Sequence, residues 1–251
     1  MSNFFTPDVK RGTYERVVET IAASMGLDAA TFKKQYKVMP SVLKLGVALN
    51  PGLSNYRLSP RKGVDTPVPN AILLDQNDFF AVEGMGLRLG RAAFASNAYS
   101  NHGNYPVMTY PDPNYFTGNG TAVGKEWESL QTLVNGSVSI LVNNESMLDP
   151  TLAQEFFFNP EATYTASPLA NPRFGGSDGE RGIYPVTPQL VLDASADNAI
   201  SIDLANGAKL NIDGSISTAT TDSGVRNFLY VVLYGWKVKN LSGSGANCSK
   251  V

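Results

Sequence analysis

The side chains of this chain that could do chemistry are few, and carboxylates lead them. Glu126 and Glu128 flank Trp127, placing two acids beside an aromatic plane, as glycoside hydrolysis requires when two carboxyl groups face a sugar. On a strand the same spacing is an outward acidic face with the indole turned inward. Glu83 and Glu155 are further acids, and Glu83, in FFAVEGMGLRL, also reads as a structural carboxylate paired with Arg88. His102 is the one histidine, in the loop SNAYSNHGNYP, and Cys248 is the one cysteine, in the polar stretch SGSGANCSKV. A Ser-His-Asp or Cys-His set can use only His102, which reads as a solvated loop residue. A zinc site of ordinary His/Cys composition cannot be assembled.

Gly-rich segments add little. GGSDGERG (175–182) and NIDG (211–214) lack the alternating ligands and closing Glu of a calcium loop, and turn chemistry accounts for both. EGMGLRLG continues as a strand with no helix after it, so it is no dinucleotide fingerprint. Asn119, Asn135, Asn144, Asn240 and Asn247 each begin an N-x-Ser/Thr triplet, but the opening MSNFFTPDVKRGTYERVV has no signal-peptide pattern, so glycosylation is not expected. The expectation is a non-enzyme with no catalytic, cofactor-binding or metal-binding residues and no cofactor.

The elements that would position these residues are mainly β. Tyr14, Val17, Val18, Ile21, Ala22 and Met25 recur at helical spacing, with Thr13 as a cap and Gly26 as a stop. A short second helix runs from Asp28, its N-cap, to about Tyr36. After Pro40 the pattern turns to strand-length apolar runs: 42–49, 55–58, 71–74, 79–89, 137–142, 153–158, 189–193, 199–204, 208–212 and 228–238. Asn206-Gly207 supplies a tight hairpin turn, and FLYVVLYGWKV reads as a central strand covered on both faces. The organisation expected is an arm over 1–40, a β body over 41–240 and a tail over 241–251; one barrel is the simpler count and two the alternative.

Composition narrows the partners. Charged residues make up 17% of the 251, with 20 basic against 22 acidic, so a nucleic-acid surface is not expected. No window has the roughly 18 apolar residues of a membrane span. The loops between 94 and 125 and between 159 and 188 are longer than a compact domain tolerates without a use.

The helical arm Thr13–Tyr36, the run AILLDQNDFFAVEGMGLRLGRA, the segments SVSILV and LAQEFFFNP and the closing FLYVVLYGWKVKN together resemble the jelly-roll capsid proteins of icosahedral bacteriophages. The resemblance implies a jelly-roll barrel or sandwich in a virion shell, commonly a trimer, made in the host cytoplasm. The partners it implies are copies of itself and other virion proteins, with the arm reaching a neighbour or an inner membrane. Interface candidates are Phe4, Phe5, Tyr14, Val17, Val18, Ile21 and Met25 in the arm and Tyr105, Tyr110, Tyr115 and Phe116 in the first long loop. The arm is equally suited to covering one end of its own barrel. A carbohydrate-binding β-sandwich or adhesin using Trp127 or the loop tyrosines is the alternative function, followed by a glycoside hydrolase using Glu126 or Glu128.

Overall fold

Among the described residues, two N-terminal helices lead into ten strands. The computed structural model describes residues 7–49, 52–64, 68, 71–95, 98–100, 107–108, 131–157, 183–209 and 224–241. Helix α1 (Pro7–Ser24) starts at a proline, whose fixed φ suits a first turn, so Thr13 lies inside the helix rather than capping it. Gly26 follows it at φ +66, and α2 (Ala29–Gln35) begins at once. Asp28 caps α2 by accepting bonds from the backbone N–H groups of Ala30 and Thr31, both at 2.9 Å. The Thr31 hydroxyl also donates to this carboxylate, and these bonds hold the Asp28 pKa below its ordinary value.

Strand β1 (Tyr36–Ala48) continues from α2 without a linker, so the sheet starts before residue 40. It is followed by β2 (Asn55–Leu58), the long β3 (Asp78–Ala95), the short β4 (Ala98–Ser100) and β5 (Val107–Met108), then β6 (Ser137–Val142) and β7 (Glu145–Leu152). The last three are β8 (Tyr184–Asp193), β9 (Asn198–Asp203) and β10 (Gly224–Asn240). They form two antiparallel sheets. One runs β1-β10-β3, with β8, β5 and β4 pairing in turn along the far edge of β3; the other runs β2-β9-β6-β7. The protein is therefore mainly β.

Strand β10 shows how the sequence builds the sandwich. Leu229, Val231 and Leu233 point into the core between the sheets, while Phe228, Tyr230, Trp236 and Val238 point the other way and are also buried. It pairs with β1 on one side and β3 on the other, which explains its apolar run. Opposite the core-facing residues of β10 stand Tyr56, Leu58, Val138, Ile140, Ile200 and Ile202 of the second sheet.

Three expected strands are corrected. The 153–158 segment is a 3-10 turn, Ala153–Phe156, because Ala153 and Phe156 bury together three residues apart. Residues 71–74 make only isolated bridges, Ile72 to Lys44 and Leu74 to Arg61. Of 208–212, the described residues 208 and 209 are not in a strand, and 210–212 lie outside the described residues. The Asn206-Gly207 turn itself is as expected: both residues have positive φ, 56 and 64, and the Ala208 N–H donates across them to the Ala205 carbonyl.

Candidate functional site

The arm lies on the outer face of the first sheet. Val17, Val18, Ile21 and Ala22 of α1 and Phe32 of α2 bury against Ala81, Trp236 and Val238, with Tyr14, Met25, Tyr36 and Phe79 at the margin. The Tyr14 ring meets Trp236 edge-on at 5.7 Å, and Phe32 stacks on Tyr36 at 4.8 Å. Burying each of the larger aliphatic side chains contributes about 1.5–3 kcal/mol, so the docking is a second core. Five of the interface candidates, Tyr14, Val17, Val18, Ile21 and Met25, thus pack on the outer face of the chain's own sheet rather than at one end of a barrel.

Glu83 belongs to this seam. It is the extra residue of a bulge in β3, since Gly84 pairs with Tyr234 and Val82 with Gly235. The bulge turns the carboxylate outward, where it accepts the Trp236 indole N–H at 2.9 Å. The Arg88 guanidinium donates to the Leu87 carbonyl at 3.3 Å. Glu83 therefore anchors the aromatic on which the arm rests.

At the end of the same sheet, Lys237 lies between two carboxylates, 2.6 Å from Asp78 and 3.7 Å from Asp75, and Lys62 meets Asp75 at 2.7 Å. Asp78 is almost wholly buried. Replacing Asp78 with alanine leaves Lys237 without its close partner and is expected to cost about 2 kcal/mol, less than the ~3–5 kcal/mol of a fully buried broken pair. Urea unfolding checks this, with a shifted midpoint at unchanged slope as the expected result. The Lys62 hydrogen bond holds the Asp75 carboxyl below its ordinary value. Its contribution is present at neutral pH and fades as pH falls through that depressed pKa, and salt weakens it because the pair is exposed.

A second cation sits on the same outer face. The Lys44 ammonium lies 4.3 Å from the Tyr230 ring centroid, and partial burial lowers its pKa. Gly46 leaves room for that ring, since a Cβ there would stand 2.7 Å from it.

The outer face of the second sheet is polar. Asn55 donates to Ser201 at 2.7 Å and to Asp203 at 2.5 Å, and Arg57 reaches Asp197 at 3.4 Å. The comparisons find no matching family model, no similar curated protein and no similar solved structure.

Among the described residues no three His, Cys, Asp or Glu side chains form a group that could hold a metal ion, and no helix is long and apolar enough to cross a membrane. Glu155 is exposed on the 3-10 turn after β7. Phe4, Phe5, His102, Tyr105, Tyr110, Tyr115, Phe116, Glu126, Trp127, Glu128 and Cys248 lie outside the described residues, as do 175–182 and 211–214. The Trp236–Glu83 bond went unread in the sequence because 153 positions separate the partners.

Proposed function

We propose that this chain is a jelly-roll capsid subunit of an icosahedral bacteriophage, a virion structural protein whose activity is self-assembly. The observation that carries the reading is the pair of strand orders, β1-β10-β3-β8 and β2-β9-β6-β7. With the short β4 and β5 set aside and the other eight strands lettered B to I in chain order, they read B-I-D-G and C-H-E-F. These orders support reading the two sheets as the double Greek-key wrapping of a single jelly roll, an architecture that virion shells share with lectins and cupins.

The free edges favour a shell over open-ended strand addition. β7 contains Pro150 and Asp149 and slips register twice against β6; β1 contains Lys37 and Pro40, and its edge is met at Lys44 by Ile72. Such features block edge-to-edge pairing, so copies would meet through side chains in closed, symmetric sets, here trimers. The arm packs on its own first sheet, leaving Phe4-Phe5 and the tyrosines Tyr105, Tyr110 and Tyr115 as the residues proposed to contact neighbours, other virion proteins or an inner membrane.

Light scattering on the purified chain over a range of concentrations tests the reading. Mass should rise from that of one chain to discrete multiples, the trimer first. A mass fixed at 26.9 kDa at every concentration would overturn it.

A further inference from the structure

The strand orders put β1 and β2 together at one lateral side of the sandwich and β7 at the opposite side. The two sides differ in charge. Between Tyr36 and Val64 the chain has five basic residues and no acid; between Gln131 and Phe157 it has three acids and no base. Arg57 and Lys62 meet Asp197 and Asp75, whereas Lys37, Lys44 and Arg61 have no carboxylate partner among the described residues. On the other side Glu145, Asp149 and Glu155 are exposed with no cationic partner among them. Among the described residues, Lys37 and Arg61 thus lack a carboxylate on one side, where Lys44 rests on the Tyr230 ring, and three acids lack a cation on the other.

The apolar surface follows the same division. Six large hydrophobic side chains are exposed among the described residues, and five of them lie on these two sides. Leu53, Val64 and Ile72 accompany β1 and β2, with Ile72 bridged to Lys44; Met147 and Leu152 are on β7. Val64 is 59% and Met147 53% exposed.

Resting on the subunit reading above, we infer that the β1/β2 side of one copy docks on the β7 side of a second copy. This is a head-to-tail contact in which the basic strip meets the acidic strip and the two apolar groups pack between them. A contact of two different surfaces repeats from copy to copy rather than ending at a dimer, and it closes into a ring when its rotation allows, as the trimer reading requires. The charges set register and exclude a like-on-like approach, while the apolar residues supply the buried area.

Charge reversal on one side and then on both tests this. Lys37→Glu with Arg61→Glu makes both sides acidic, and Glu145→Lys with Glu155→Lys makes both basic. Each pair alone is expected to raise the concentration for half-association by at least about tenfold, because like charges then face each other. The four substitutions in one chain restore opposite charge, and association should return to near the wild-type concentration. Circular dichroism and the thermal midpoint verify folding, and Lys37→Gln with Arg61→Gln replaces any pair that fails to fold. If the wild type associates and the single-side variants do so equally well, or if the fourfold variant stays as weak as its parents, this contact is wrong and the subunit reading stands. A wild type that never associates removes both.

Discussion

Alanine in place of Gly235 is expected to destabilise the protein by about 3 kcal/mol, the high end for overpacking a core. Gly235 is in β10 opposite the β3 bulge, where two backbones close on one another. A Cβ there would collide with the carbonyl oxygen of Ala81 and lie 3.0 Å from its carbon and 3.2 Å from the Glu83 nitrogen. These are backbone atoms of a central strand, so no side chain can turn aside to relieve the clash. The sheet must open between β10 and β3, weakening the Trp236–Glu83 bond with it. Thermal and urea unfolding measure the loss. Wild-type stability in Gly235→Ala would mean that the two strands are further apart than described here.

The other large effect belongs to the arm. Ile21 is wholly buried between α1 and the sheet, and Ile21→Asp removes its packing, worth about 2–5 kcal/mol for truncation alone, and adds a carboxylate that the seam cannot solvate. The expected result is an arm released from a β-sandwich that stays folded, because the core between the sheets uses none of the α1 residues. Trp236 reports the release. With Trp127 changed to phenylalanine, emission should shift to the red and quenching by iodide should rise in Ile21→Asp. An unchanged spectrum would mean that the arm does not depend on this face. The exposed apolar sheet should also make the variant aggregate on warming.

The arm was legible in the sequence as a stripe, but the partner of the stripe was not. The 3.6-residue period of Val17, Val18 and Ile21 specifies that one face is buried, and it is silent on whether the burying surface is the same chain. β10 was readable at both levels, since apolar residues on consecutive positions require cover on both faces, and the sandwich supplies one cover and the helices the other. Two short strands, 55–58 and the partly alternating 137–142, match the structure at both ends.

Strand β7 escaped the sequence reading because ESMLDPTL has no alternation to detect. It is an edge strand with mostly exposed side chains, held by backbone pairing to β6 rather than by an apolar face. The adjacent AQEF was read as a strand because its apolar residues sit at either end, a spacing that a 3-10 turn also satisfies. The charge division between the two lateral sides was equally hidden. Lys37 and Arg61, or Glu145 and Glu155, become one surface only when the strand order is known.

Self-assembly is the claim on which the rest depends, and negative-stain electron microscopy of the concentrated, purified chain tests it most directly. Three-fold rings or closed shells of uniform size are expected, lost when Glu145→Lys and Glu155→Lys are introduced. Fields of single small particles at every concentration would contradict it.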